Sequence, residues 1–137
     1  MLRACRSATA ILPLLGVLLL GLAASLGSSP RIVDIVADRD NRFKIPRQKD
    51  PVITLKANEV VVLRITARKA TEWDKDGSVH TFTINALKSQ GWDLRLKEGT
   101  QQFPLVAPAE PGEYVVECTV KCGKGHDDMR MKVIVTP

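Results

Sequence analysis

The chain has 137 residues and a formal net charge of +5 at pH 7, from 20 Lys and Arg against 15 Asp and Glu. Basic and acidic residues alternate along most of the sequence, as on an ordinary solvated surface. No basic run with interleaved aromatic side chains occurs, so the sequence lacks the usual signature of a nucleic-acid-binding protein. The sequence also has no Gly-rich phosphate loop and no Ser-His-Asp set, so it offers neither a nucleotide site nor a serine-hydrolase site of the usual kinds.

Residues 1–29 have the layout of an export signal. A start with Arg3 and Arg6 is followed by an apolar stretch over 10–26 and then by small residues at small-x-small spacing. This order is typical of a cleaved secretory signal, and we favour that interpretation. The alternative is an uncleaved membrane anchor, because about 17 apolar residues lie at the short limit for a spanning helix. Membrane contact would then run through residues 10–27, whereas cleavage leaves 18 basic against 15 acidic residues.

The rest of the chain, residues 30–137, is predicted to be one all-β domain of about 108 residues. Short runs rich in Val, Ile, Leu and Thr are separated by turn residues, and no convincing helix occurs. The turn at 56–59 contains Asn58, which tolerates a positive φ, and we interpret it as hairpin-type; residues 43–51, broken by two prolines, are interpreted as a connection. This spacing predicts an antiparallel sandwich. The predicted strands are 32–36, 52–55, 60–66, 78–84, 94–96, 103–106, 114–118 and 131–135.

The segment from Cys118 to Met129 carries the chemistry of the chain. It places Cys118, Cys122, His126 and Met129 at the spacing C-x3-C-x3-H-x2-M, and the second histidine of the sequence, His80, lies 38 residues earlier in a strand-like run. Thiolate and thioether are soft ligands and imidazole suits copper, so this set predicts a copper site rather than one for magnesium or calcium.

Competing interpretations leave residues without a role. A structural zinc site usually has a second pair of ligands, but no second Cys pair follows and Met129 would have no role. A redox dithiol is usually C-x-x-C. A disulfide between Cys118 and Cys122 would close a tiny loop and stabilise the fold little. A one-copper blue site would use His80, Cys122, His126 and Met129 but would leave Cys118 over. Met131 and the aromatic Trp73 and Trp92 are interpreted as packing residues, and Asp127 and Asp128 as exposed loop charges.

Residues 31–137 resemble a cupredoxin, and the motif is most similar to that of the dinuclear CuA domain of haem-copper oxidase subunit II and of nitrous oxide reductase. The resemblance implies a Greek-key β-sandwich of seven to eight strands. It also implies two copper ions bridged by Cys118 and Cys122. His80 and His126 would each be a terminal ligand of one ion. The implied metal ligands are His80, Cys118, the carbonyl of Val120, Cys122, His126 and Met129.

The function implied by this resemblance is electron transfer in the periplasm, to or within a respiratory chain. The expected partner is a cytochrome or a respiratory complex subunit. The chain is not expected to be an enzyme alone, but it is compatible with a subunit of a cytochrome c oxidase-type oxidoreductase. The alternatives are a one-copper type 1 cupredoxin and a periplasmic copper carrier. The carrier is disfavoured because the sequence has only 3 Met, including Met1, and no Met-rich tract.

Overall fold

The computed structural model describes residues 29–137. The predicted signal or anchor lies outside the described residues, apart from its last residue. Nine strands and two short 3₁₀ helices, Asn85–Gln90 and His126–Asp128, make up the described part of the chain. The strands are β1 Arg31–Ala37, β2 Phe43–Lys44, β3 Val52–Lys56, β4 Val60–Ala67, β5 His80–Thr83, β6 Asp93–Leu96, β7 Gly99–Val106, β8 Gly112–Glu117 and β9 Arg130–Thr136.

The strands form two sheets that pack face to face. The first sheet has the order β2-β1-β4-β7 and the second has the order β3-β9-β8-β5-β6. Strand β4 shows why they pack: alternate residues Val61, Leu63 and Ile65 are at most 1% exposed, whereas their neighbours are half-buried or exposed. An alternating strand buries one face only, so each sheet needs the other to cover its apolar side. The all-β sandwich predicted from the sequence is confirmed.

Few aromatic side chains contribute to the core between the sheets. The ring of Phe43 meets that of Phe82 edge to face, with centroids 5.6 Å apart and an angle of 76° between planes. Trp92 is 1% exposed and its indole N–H donates to the carbonyl of Val106 at 3.2 Å. Most of the remaining buried side chains are Val, Ile and Leu, as expected for a core poor in aromatic residues.

Three details of the sequence prediction were wrong. Strands β1 and β4 pair in parallel, as do β3 and β9, so the sandwich is mixed rather than purely antiparallel. The turn after β3 forms as predicted, with Asn58 at φ 60°, but it carries the chain from one sheet to the other instead of closing a hairpin. Residues Phe43–Lys44, predicted to be part of a connection, pair with the end of β1.

Strand directions give the sandwich two distinct ends. Strand β4 runs from Val60 to Ala67, and β7 returns beside it from Gly99 to Val106. The end near Ala67 and Gly99 also receives the loop between β8 and β9, whereas β1 starts at the opposite end. Among residues 29–137, no helix has both the length and the apolar character needed to cross a membrane.

Candidate metal centre

One end of the sandwich collects all the predicted ligands. His80 is the first residue of β5, Cys118 directly follows the last residue of β8, and Met129 directly precedes β9. Cys122 and His126 lie on the loop between these strands, where His126 begins the second 3₁₀ helix. Each ligand is therefore attached to, or lies within a few residues of, a strand of the rigid second sheet.

His80, one of the predicted ligands, lies on the buried side of the site. Its side chain is fully buried, and Nε2 lies 2.9 Å from the carbonyl oxygen of Arg68. An N–H at Nε2 donates to that carbonyl, which leaves Nδ1 as the acceptor. Nδ1 is buried and has no hydrogen-bond partner. Because such a nitrogen is costly to bury unsatisfied, it is free to bind a metal ion at this position.

The two thiols face each other beside this imidazole. The Sγ atoms of Cys118 and Cys122 are 3.8 Å apart, and the ligand atoms of both lie within 4.8 Å of a nitrogen of His80. Cys122 is fully buried and Cys118 is 6% exposed. Cys118 Sγ lies 3.3 Å from the carbonyl oxygen of Val120. The carbonyl that the motif singled out is therefore directed at the first sulfur.

The second sulfur has its own neighbours. Cys122 Sγ lies 3.6 Å from Nδ1 of His126 and 4.0 Å from Sδ of Met129. Met129 is 1% exposed, whereas His126 is half-buried and reaches the surface. The arrangement has two halves: His80 and the Val120 carbonyl lie near Cys118, while His126 and Met129 lie near Cys122.

The contact between the two thiols favours ionisation of one of them. The Cys122 thiol donates to Cys118 Sγ, and this hydrogen bond, joined by the N–H of Thr81 at 3.5 Å, lowers the pKa of Cys118. The same contact and the burial of the site raise the pKa of Cys122. One sulfur is therefore prepared as an anion for a soft cation, and the second loses its proton when a cation binds.

Two hydrogen bonds and one glycine hold the ligand loop in place. Asn41, on the loop between β1 and β2, donates from Nδ2 to the carbonyl of Lys124 at 2.7 Å. The backbone N–H of Glu72 donates to the carbonyl of Cys122 at 3.2 Å. Gly123 has φ 126°, and a Cβ there would clash with Oγ1 of Thr71. Only glycine combines this conformation with so close an approach.

Sequence reasoning missed these supporting residues. Thr81 accepts from the N–H of Thr119 through Oγ1 at 2.7 Å, besides donating its own N–H to Cys118. Asn41 is 3% exposed at φ 58°. Its position in a turn and the rarity of buried asparagine are weak signals, because its partner Lys124 lies 83 residues away.

Other residues weighed in the sequence lie outside the ligand cluster. Met131 is 3% exposed in the core and Trp92 is 1% exposed, so both are packing residues as predicted. Asp127 and Asp128 are exposed, also as predicted. Trp73 is 52% exposed, and the ammonium of Lys69 lies 3.2 Å from its ring centroid.

Comparison with known proteins supports the fold. No protein-family model and no curated protein sequence matches the chain. A chain of a haem-copper terminal oxidase dimer is similar at 18% identity and a TM-score of 0.56, covering 81% of this chain and 68% of that one. The periplasmic domain of cytochrome oxidase subunit II (CoxB) of Bradyrhizobium japonicum is similar at 17% identity and 0.53, covering 80% and 86%. Dithionite-reduced auracyanin of Roseiflexus castenholzii is similar at 14% and 0.51, covering 81% and 100%.

The fold is therefore that of the cupredoxins. The predicted resemblance to oxidase subunit II is confirmed for the fold by the solved structures. The donor set fits copper on its own chemistry, because two thiols lie beside the buried, unpartnered nitrogen of His80, and a second imidazole and a thioether lie next to Cys122.

Proposed function

We propose that this chain is an electron-transfer domain whose site holds a pair of copper ions. The observation that carries the proposal is the pair of buried thiols 3.8 Å apart, each beside a different imidazole. A single copper ion needs one thiolate, whereas two facing sulfurs can each touch two ions. The proposed ligands are His80, Cys118, the Val120 carbonyl, Cys122, His126 and Met129.

The chemistry of such a centre depends on rigidity. If two copper ions were held by the thiolates of Cys118 and Cys122, they would share one electron, and each ligand would need to move little when the charge changed. The chain provides this rigidity through its own contacts: the carbonyl of Arg68 orients His80, Thr81 donates to Cys118, and Asn41 fixes the loop that carries Cys122. The burial of Cys122 and Met129 keeps water from the sulfur atoms.

Burial also argues against the copper-carrier alternative. A carrier must release its metal and therefore favours an open, partly exposed site. Here His80 and Cys122 are fully buried, and Met129 is 1% exposed. The one-copper alternative leaves Cys118 unused, although the Cys118 sulfur lies within reach of both Cys122 and His80.

The expected partner is another redox protein, a cytochrome or a respiratory complex subunit. His126 is the ligand that reaches the surface, and the exposed Lys121 and Lys124 lie beside it on the same loop. The domain without residues 1–29 has 18 basic against 15 acidic residues, so a partner with an acidic face would be attracted to it, and salt would weaken the encounter. The surface around His126 is thus the proposed point of electron exchange.

The proposed location is outside the cytoplasmic membrane. The supporting observations are the export-like layout of residues 1–29 and the likeness to a domain described as periplasmic. Sequencing the N-terminus of the protein from fractionated cells distinguishes cleavage near residues 25–30 from an intact anchor. Recovery of the protein in the cytoplasm would contradict both alternatives.

Electron transfer is tested with the copper-loaded protein and a reduced c-type cytochrome. The copper spectrum should be bleached as the cytochrome is oxidised, with a rate that falls as salt is added. The Cys122→Ser variant is the control and should leave the cytochrome reduced. A loaded protein that holds copper but exchanges no electrons, and instead yields its copper to a competing apo-protein, would favour the carrier.

A further inference from the structure

Residues at the ends of first-sheet strands hold the metal site at two points. The proposed ligands themselves lie on strands of the second sheet or on the loop between β8 and β9. The carbonyl of Arg68, directly after β4, accepts from His80 at 2.9 Å. Asn41, between β1 and β2, donates to the carbonyl of Lys124 on the ligand loop at 2.7 Å. The orientation of the ligands therefore depends on contacts from the opposite sheet.

Asp38, the residue directly after β1, bonds to the residues at both of these points. Its carboxylate accepts from the guanidinium of Arg68 at 3.3 Å. Its backbone carbonyl accepts from the N–H of Asn41 at 3.0 Å. Its own N–H donates to the carbonyl of Arg42 at 3.0 Å, which closes the turn that carries Asn41. One residue thus connects the hydrogen-bond partner of His80 to the turn that holds the ligand loop.

The carboxylate of Asp38 also fixes the shape of this turn. Oδ1 accepts from the N–H of Arg39 at 2.9 Å, and Oδ2 accepts from the ammonium of Lys44, on β2, at 2.7 Å. Asn41 lies in the turn at φ 58°, a left-handed conformation that neighbouring contacts must maintain. The side chain of Asp38 is 14% exposed, so solvent screens these hydrogen bonds only in part. Loss of the carboxylate should therefore loosen the turn as well as Arg68.

We propose that Asp38 is a positioning residue of the metal site. Through Arg68 it sets the orientation of the His80 imidazole, and through Asn41 it sets the position of the loop between β8 and β9. Asp38 itself contacts no proposed ligand in the structure. The proposal rests on the proposed function and deepens it, because it names the residue that keeps the two halves of the donor set at a fixed separation. Partners behind the ligands orient them and tune the metal they hold.

A second pair of a carboxylate and an arginine on β1 and β4 provides the comparison. Arg64 donates to Asp34 at 2.8 Å, and the two side chains are 43% and 48% exposed. In the part of the chain that the structure describes, these two side chains bond only to each other. Asp34→Asn therefore removes a similar ion pair between the same strands without loosening a contact to the metal site.

The copper-free full chain tests the effect on His80 without any metal. The proton on Nε2 of His80 is buried and should exchange slowly with water, which NMR of the imidazole nitrogens measures. Asp38→Asn should speed this exchange roughly fivefold, and Arg68→Gln, which removes the same contact from its other side, should do the same. Asp34→Asn should leave the rate unchanged. An unchanged rate in both Asp38→Asn and Arg68→Gln would overturn the proposal.

A destabilised variant separates positioning from a general loss of stability. Val61 is fully buried near the start of β4, at the end of the sandwich away from the metal site. Val61→Ala removes two buried methyl groups and should destabilise the fold at least as much as Asp38→Asn. It should nevertheless leave the exchange of the His80 proton and the release of copper unchanged. Equal effects of Val61→Ala and Asp38→Asn would overturn the proposal.

A double-mutant cycle tests the effect on the ligand loop in the copper-loaded protein. Asp38→Asn and Asn41→Ala should each speed the release of copper to a chelator. Together they should speed it by less than the product of the two single effects, because both variants loosen the same turn. Fully multiplicative effects would overturn the action of Asp38 through Asn41. A copper content other than two per chain would contradict the proposed copper pair but would leave the result for the His80 proton standing.

Discussion

Cys118 and Cys122 face each other across 3.8 Å in a buried site, and each lies near a different imidazole. In the proposed centre the two sulfurs have different neighbours, so removal of one should not have the same effect as removal of the other. Cys122 lies between Cys118, His126 and Met129, whereas Cys118 lies on the side of His80 and the Val120 carbonyl.

Replacing each cysteine by serine ranks the two ligands. Cys122→Ser should abolish copper binding, because Cys122 serves both a two-copper and a one-copper site. Cys118→Ser should retain one copper per chain on the remaining ligands. Copper analysis and the visible spectrum of each variant check this. A Cys118→Ser spectrum that matches the parent would show that Cys118 is not a ligand.

Met129 should tune the site more than it holds the metal. Met129→Leu keeps the volume and apolar character of the side chain but removes the thioether, so copper should stay bound while the reduction potential rises. We expect a shift on the order of 60 mV, which corresponds to tenfold in a one-electron equilibrium. Redox titration measures it. Met131→Leu, in the core, is the matched control and should leave the potential unchanged.

Asn41 should slow the loss of copper from the loop. Asn41→Ala removes the 2.7 Å hydrogen bond to the Lys124 carbonyl, and a buried bond of about 1 kcal/mol corresponds to roughly a fivefold faster release of copper to a chelator. Asn58→Ala is the matched control, because Asn58 has φ 60° but lies in the exposed turn after β3. Both variants should lose similar stability from the positive φ. Equal copper release from the two would contradict a role for Asn41 at the site.

Asp38 should stabilise the folded, metal-free protein at neutral pH, and this stabilisation should disappear in acid. Hydrogen bonds from Lys44, from the Arg39 N–H and from Arg68 lower the pKa of Asp38 from 3.8 to about 2. Because the folded-state pKa lies below the unfolded one, this stabilisation is complete above about pH 4 and is lost as the pH falls through 2. Asp38→Asn should cost about 1–2 kcal/mol at pH 7 and nothing below pH 2.

Urea unfolding across this pH range measures the effect. Asp34→Asn is the control, because its pair with Arg64 is exposed and screened by solvent, and it should cost less than about 1 kcal/mol. An Asp38→Asn cost that stayed constant from pH 7 to pH 2 would show that the loss comes from packing rather than from charge.

The sequence predicted the ligand cluster because its chemistry is local. Five of the proposed ligands, counting the Val120 carbonyl, fall within twelve residues, and His80 lies in a strand recognisable by composition. Most strand positions were predicted for the same reason, since alternation along β4 is visible without knowledge of its neighbours.

Long-range relationships could not be predicted. The turn at Asn58 has the same local chemistry whether the next strand pairs with β3 or crosses to the other sheet, so the parallel pairs were missed. The contact of Asn41 with Lys124 joins residues 83 apart, and the orienting partner of His80 is a backbone carbonyl that no side-chain pattern reveals.

Copper content is the most direct test of the central proposal. The full chain, reduced and loaded with excess copper, is freed of loosely bound metal and then analysed for copper and protein. Two facing thiols with two separate imidazoles predict two copper ions per chain, with Cys122→Ser binding none. One copper per chain with the spectrum of a blue single-copper site would contradict the two-copper centre and support the mononuclear alternative.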